Sequence, residues 1–284
     1  MNYPEIHVYW DEKPRSPRHT AIEYFLSPQG RGYAWDFMCG CWHWKNGVCG
    51  GGGKDFRCWA KGLAEGRNKA SHPFGFEPTL YPDRLLDPLN IKKSSRISVC
   101  FKSDLFGEWV DPELYVNLPH GSSKTGWLSG TVLNTIEACP QHTFLFLTKN
   151  PSGYQKWGEF PDNCWLGATV NDDIALTRAF KPMTEAQCKN KWLSIEPLLS
   201  WGMSLEDTGW SLREMGINFV VIGGYSGGRK SPPPEAICEI VEACDKAGIS
   251  VWLKDNLKPL IFEDRLFAEG WLNWAGEIRH DFPH

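Results

Sequence analysis

Lys191-Trp192-Leu193-Ser194-Ile195, closed by Glu196-Pro197, is the stretch that decides the fold. The run is apolar almost throughout and stops abruptly at a charge and a proline. A strand with one wet face alternates polar and apolar residues. A continuous run suits a strand buried on both faces, as in a parallel sheet covered by helices. The same unit recurs along the chain. Ile97-Ser98-Val99-Cys100-Phe101 ends in Lys102-Ser103-Asp104, and Thr143-Phe144-Leu145-Phe146-Leu147 ends in Thr148-Lys149-Asn150. Cys164-Trp165-Leu166-Gly167-Ala168-Thr169-Val170 ends in Asn171-Asp172-Asp173. Further on, Phe219-Val220-Val221-Ile222 ends in Gly223-Gly224-Tyr225-Ser226, and Val251-Trp252-Leu253 ends in Lys254-Asp255-Asn256. Residues 33–38 supply a first strand, which makes seven.

Helical segments lie between the runs. Residues 128–139 form one, and 234–247 the clearest. There Pro234 suits a first turn, Ile237, Ile240, Val241 and Cys244 recur at helical spacing, and Gly248 is a stop. From the run at 164–170 onward the strands return every 27 to 32 residues, the rhythm of βα units. The expected fold is α/β: a parallel βα barrel, TIM-like and partial or near-complete, over residues 33–258. An irregular N-terminal extension (1–32) precedes it and a C-terminal cap (259–284) follows. In such a barrel the polar strand ends form the rim that holds the site. A doubly wound open sheet would also place ligands at those ends.

The chain has 284 residues and a net charge of −4, with a pI near 6.1, so nothing attracts it globally to nucleic acid. Its hydrophobic content of 42% permits a substantial core. Residues 1–19 contain no apolar h-region, and no apolar run reaches the ~18 residues of a membrane span. The expected address is therefore the cytoplasm, where thiols stay reduced. The ten cysteines then read as core residues plus a metal site rather than a disulfide framework. The 15 tryptophans read first as packing, with stacking on bases as the minority reading.

Four of those cysteines, Cys39, Cys41, Cys49 and Cys58, fall within twenty residues of a polar, glycine-rich loop spanning 39–58. Such a loop is a poor place to bury thiols and a good place to gather them around a soft metal. The spacings are C-x1-C, C-x7-C and C-x8-C, which lack the paired C-x2-C habit of structural zinc, although His43 would add a ligand. Three readings stay open on the residues alone. They are free thiols, a zinc site, and an iron–sulfur cluster held by three thiolates with one iron left for a ligand.

Motifs over 35–257 carry a resemblance. They are Gly40-Cys41, Cys49, Cys58-Trp59-Ala60, Ser103-Asp104-Leu105-Phe106, Pro140-Gln141-His142-Thr143-Phe144, Leu147-Thr148-Lys149, Trp165-Leu166-Gly167, Ser194-Ile195-Glu196-Pro197-Leu198-Leu199, Gly223-Gly224-Tyr225-Ser226-Gly227 and Lys254-Asp255-Asn256-Leu257. In these the chain resembles an uncharacterised phage- and prophage-associated family. That family is itself distantly similar to radical S-adenosylmethionine (SAM) enzymes of the spore photoproduct lyase type. Three departures stand out. The gap before Cys58 is eight residues rather than the family's two, Trp59 replaces a tyrosine, and Tyr225 stands where the family has Glu.

The resemblance implies a 4Fe–4S cluster on Cys41, Cys49 and Cys58, with Cys39 ranked fourth. It implies SAM as cosubstrate, cleaved by an electron from a flavodoxin or ferredoxin, and hydrogen abstraction from a nucleobase in DNA or RNA. It further implies that Ser103, Asp104, Asn171 and Glu196 hold the ribose or amino group of SAM. Lys149 and Lys254 would meet its carboxylate or a substrate phosphate. Capping of the following helix is the competing role for each of these strand-end residues. Lys92-Lys93 with Arg96, and Arg229-Lys230, would contact phosphates or simply be solvated surface. Two other function classes remain. One is a non-catalytic, zinc-stabilised phage–host interaction protein. The other is a barrel enzyme on a phosphorylated metabolite, using the glycine-rich turn Gly223-Gly224 with Ser226-Gly227-Gly228.

Overall fold

A computed structural model describes residues 5–11, 16–26, 30, 32–45, 49, 58–118, 125–225, 232–263, 270–272 and 277–283. The chain divides into two units, Met1–Cys164 and Trp165–His284.

In the first unit the N-terminal extension supplies two short strands, β1 (His7–Val8) and β2 (Arg18–His19). The expected strand over 33–38 is instead two, β3 (Tyr33–Trp35) and β4 (Met38–Cys39). The break has a physical cause at Asp36-Phe37. The Asp36 carboxylate takes the Lys102 ammonium at 2.6 Å, and its carbonyl accepts from Arg84 Nη1 at 3.0 Å. The Phe37 carbonyl accepts the Tyr81 N–H at 2.7 Å. The chain therefore leaves one sheet, and β4 pairs antiparallel with β5 (Thr79–Leu80), which pairs parallel with β1.

Helix α1 (Trp59–Glu65) lies in the long connection between β4 and β5. Then β6 (Arg96–Val99) pairs parallel with β3, and β2 covers the other edge of β3 antiparallel. A ribbon of β7 (Tyr115–Asn117) and β8 (Thr125–Trp127) leads into α2 (Leu128–Glu137). After it, β9 (Thr143–Thr148) pairs parallel with β6. Trp35 packs edge-on against Phe37 and Phe144, at 4.8 and 5.7 Å between centroids. All three are essentially fully buried, each contributing on the order of 2–3 kcal/mol from burial.

The second unit is more regular. Strands β10 (Cys164–Thr169), β11 (Asn190–Ile195), β12 (Ile217–Ile222) and β13 (Ser250–Leu253) pair parallel in chain order. Helices α3 (Asp173–Glu185), α4 (Leu205–Glu214) and α5 (Pro234–Ala247) connect them. Asp172 caps α3 by accepting from the Ala175 N–H at 2.7 Å, and Ser204 caps α4 by accepting from Asp207 N–H at 3.1 Å. Helix α5 has its expected bounds and ends at Gly248 in the left-handed region. A short α6 (Lys258–Glu263) follows β13.

Part of the cap has a defined role. Trp252 and His280 form an antiparallel bridge with their rings stacked at 4.3 Å, and Asp281 N–H reaches the Val251 carbonyl at 3.0 Å. The C-terminal segment thus covers the β13 edge, which would otherwise expose unpaired backbone groups.

The fold class is mixed α/β: the described strands of the second unit pair parallel throughout, and the first unit mixes parallel and antiparallel pairs. In each, spatial strand order follows chain order among the parallel strands, without the reversal of a doubly wound sheet. Within each unit the described parallel strands of the main sheet pair side by side in one layer. No helix among the described residues is long and apolar enough to cross a membrane.

Candidate metal centre

The thiol loop starts where β4 ends. Gly40 forms a parallel bridge with Ser103, whose hydroxyl donates to the Gly40 carbonyl at 2.6 Å, while Gly40 N–H reaches the Lys102 carbonyl at 3.1 Å. Cys41 N–H reaches the Phe76 carbonyl at 3.1 Å. Gly40 has φ +83°, and a Cβ there would lie 2.2 Å from the Glu77 carbonyl oxygen. Only glycine fits. This left-handed residue ends the strand's alternation, and Cys39 and Cys41 enter different surroundings.

Cys39 is buried, and burial followed by the charge of Asp36 pushes its thiol up to about 12, with Arg84, Lys102 and Arg18 opposing. It lines a small polar cleft with Arg18, Asp36, Arg84, Asp87 and Lys102. Cys41 has other neighbours. Burial pushes its thiol well above the ordinary value, the Asp104 charge adds to this, and the charges of Cys49 and Cys58 add further. Burial pushes Cys49 up to about 11; Lys149 opposes, and Cys58 and Asp104 add. Cys58, half-buried, is the N-cap residue of α1. Cys41, Cys49 and Cys58 are therefore within reach of one another's charge, and Cys39 belongs to a different group. Glycines 50–53 lie outside the described residues.

Asp104 is fully engaged. Its Oδ1 accepts from the Thr148 hydroxyl at 2.6 Å and from Phe106 N–H at 3.1 Å. Its Oδ2 accepts from His43 Nε2 at 2.7 Å and from Lys149 N–H at 2.9 Å. An ionised carboxylate offers about four lone-pair sites, so these donors fill it. Burial alone would raise its pKa, but the hydrogen bond and charge of His43, with Thr148 and Lys149, hold it below the usual carboxylate value. His43, read from the sequence as a spare zinc ligand, thus gives Nε2 to Asp104. Its Nδ1 is buried without a hydrogen-bond partner among the described residues. The Lys149 ammonium makes no hydrogen bond or ion pair among the described residues and meets the Cys49 thiol through charge alone.

The strand ends of the second unit bring together Glu196 and Lys254. Register aligns Ile195 with Ile222 and Ile222 with Leu253, so Glu196, Gly223 and Lys254 form the next row. Lys254 Nζ reaches Glu196 Oε2 at 2.7 Å across the glycine. A Cβ at position 223 would come within 2.9 Å of Lys254 Cδ and 3.1 Å of Glu196 Cγ. The Ser194 hydroxyl supports Glu196 Oε1 at 3.2 Å. Asn171 donates to the Pro197 carbonyl at 2.8 Å, fixing the turn after Glu196. Sequence reasoning read Gly223 as part of a phosphate turn, not as the gap across which Lys254 reaches Glu196, and gave Asn256 no role of its own; a glycine closing an apolar run was the available signal for the first.

The glycine-rich turn offers little to a phosphate. Gly223 N–H goes to the Ile195 carbonyl, and Gly224 N–H goes to Asn256 Oδ1 at 3.1 Å. Ser226-Gly227-Gly228 and Arg229-Lys230 lie outside the described residues. Arg96 is also committed, with Nη1 donating to the carbonyls of Tyr24 and Leu26 at 3.1 and 2.6 Å. Lys92 and Lys93 are solvated.

A family described as "Protein of unknown function (DUF5131)" matches residues 20–258, most of the chain. The chain belongs to the DUF5131 family. Among curated proteins, none matches this family member in sequence. Of solved structures, it is similar to spore photoproduct lyase complexed with dinucleoside spore photoproduct, at TM-score 0.45 and 10% identity, covering 97% of this chain and 82% of that one. It is likewise similar to a single-site variant of spore photoproduct lyase, at TM-score 0.43 and 12% identity, covering 94% and 81%. Likeness at that level assigns no activity.

Proposed function

We propose that this DUF5131 chain is an iron–sulfur enzyme of the radical SAM type, with Cys41, Cys49 and Cys58 as cluster ligands. The observation that carries the reading is the sorting of four loop cysteines into a group of three and an outlier. Burial and neighbouring charge, that of half-buried Cys58 included, hold the Cys41 and Cys49 thiols against ionisation in the bare protein. A metal centre offsets that repulsion and deprotonates its ligands outright.

The donor count favours a cluster over a closed zinc site: three thiols group together, whereas structural zinc takes four protein ligands.

When bound, the cluster and SAM supply one-electron cleavage of a sulfonium and hydrogen-atom abstraction. The chain's own residues bind and orient. Cys41, Cys49 and Cys58 would hold the cluster. Lys149, uncommitted, suits a carboxylate or phosphate. In the second unit, Glu196 and Lys254 pair with each other and would exchange that contact for a charged or hydrogen-bonding group of a ligand. Asn171 and Ser103 hold the turns that carry these groups.

A partial or near-complete βα barrel over 33–258, a nucleobase substrate in DNA or RNA, a flavodoxin or ferredoxin as donor, a phage setting and a cytoplasmic address complete the proposal. The sequence motifs support them. The test is purification without oxygen, with iron and sulfide measured. Dithionite and SAM are then added, and 5′-deoxyadenosine is followed by chromatography. A brown protein that yields 5′-deoxyadenosine is expected. A colourless protein with stoichiometric zinc overturns the reading.

A further inference from the structure

We propose that Asp104 is a positioning residue that ties the thiol loop to the β9 strand end, with His43 as the tie's other half. The inference takes its functional meaning from the cluster reading above, while its geometry stands by itself. Four donors from three separate segments converge on one carboxylate, all at 2.6–3.1 Å. His43 lies between Cys41 and Cys49 in the chain, and its own backbone N–H points at the Cys41 sulfur at 3.4 Å. Thr148 and Lys149 end β9, and Phe106 follows β6 by a tight turn.

The arrangement has two consequences. The chain between Cys41 and Cys49 is held at one point by a charge-assisted hydrogen bond, a strong class. The backbone of Lys149, whose ammonium meets Cys49, is held by the same oxygen as His43. One carboxylate thereby fixes two thiols and the free cation relative to one another. Both members are buried, so the bond is sheltered from water. Trp109 meets the His43 ring edge-on, at 4.9 Å between centroids, and helps fix its orientation. With its lone pairs filled, Asp104 has no capacity left for a bound cosubstrate.

The test has a metal-free arm and a metal-loaded arm. In the metal-free, reduced chain, a short pulse of iodoacetamide followed by peptide mass spectrometry reads each thiol separately. Asp104→Asn turns one acceptor into a donor facing donors, and His43→Phe keeps the ring but removes the N–H. Each is expected to speed alkylation of Cys41 and Cys49 about tenfold, the weight of one hydrogen bond to an ionised group. His43→Gln keeps a donor and should stay near the wild-type rate. Cys39 and Cys100, which sit in other surroundings, should not change.

In the anaerobically reconstituted protein, His43→Phe should alter the electron paramagnetic resonance spectrum of the reduced cluster, and His43→Gln should restore it. Unchanged Cys41 and Cys49 rates in His43→Phe overturn the inference, as does an equal rise at every cysteine. If Asp104→Asn does not fold, His43→Phe decides alone. If the wild-type chain takes up no iron, the cluster reading fails, and the alkylation rates still decide the tie.

Discussion

In the first unit the run that forms β6 is closed by Asp104, whose carboxylate collects four donors from three segments. In the second, β11 is closed by Glu196, whose carboxylate meets one ammonium across a glycine and one supporting hydroxyl. Both acids end an apolar run in the same way in the sequence. One is fully buried and saturated. The other keeps about a sixth of its side chain exposed, and its partner about a fifth. A saturated buried acid positions its neighbours, because moving any of them orphans a donor. A singly paired acid beside solvent can exchange partners at lower cost. The comparison teaches which strand-end charges suit scaffolding and which suit a ligand.

The largest expected effect separates the thiols. Cys41→Ala, Cys49→Ala and Cys58→Ala should each abolish iron retention after anaerobic reconstitution, while Cys39→Ala retains it. Loss of iron in Cys39→Ala with any of the other three silent would break the division between the two groups.

Next come the glycines of the two edges. Gly40→Ala places a methyl against a backbone carbonyl that cannot yield, at a φ that disfavours alanine, and should cost about 3 kcal/mol or more in urea unfolding. Gly223→Ala meets two flexible side chains and should cost only about 1–2 kcal/mol. Equal costs would mean that the Glu196–Lys254 row is as rigid as the thiol loop.

Lys254→Met leaves Glu196 partly buried and unpaired, and should cost about 2 kcal/mol once its partial exposure is allowed for. Adding Glu196→Gln should recover most of that loss. Calorimetric titration with SAM should then show weaker binding in the double variant than in the wild type, although stability is restored.

The smallest effect belongs to Asp87, which lines the cleft beside Cys39. Burial, with Asp83 and Asp11 and against Arg84, raises its pKa from 3.8 to about 7. The folded state therefore holds a proton that the unfolded state releases. This contribution to stability is full below about pH 4 and is lost as pH rises through about 7. Asp87→Asn should be nearly neutral at pH 4 and stabilising by about 1–2 kcal/mol at pH 8, after allowing for solvent screening. Urea midpoints at the two pH values measure the difference. The effect should leave Cys41 and Cys49 alkylation untouched, since the cleft belongs to the Cys39 side.

Much of the fold was legible because burial on both faces writes itself as a continuous apolar run. Six of the seven expected strands appear within a few residues of their runs, and α5 has its predicted ends. The run over 33–38 misled because nothing local marks the turn. Its break rests on Arg84 and Lys102, which lie 48 and 66 residues from Asp36. Helices α3 and α4 went unread, although Asp172 and Ser204 as caps, and Leu176, Ala179 and Met183 on one face of α3, were available signals. The tryptophans divide, with Trp35, Trp192 and Trp271 packed in cores and Trp59, Trp127 and Trp210 exposed.

The sequence by itself determined a chain of parallel βα units with polar strand ends and a thiol-rich loop after the first. Periodicity and composition are local properties, and they carried that far. Only the tertiary structure decided which thiols share surroundings, since Cys39 and Cys41 differ by a left-handed glycine whose necessity comes from the carbonyl of Glu77. Only it decided that Asp104 is filled and that Glu196 faces Lys254. Those outcomes depend on which distant donors arrive at a strand end, and no spacing along the chain records that.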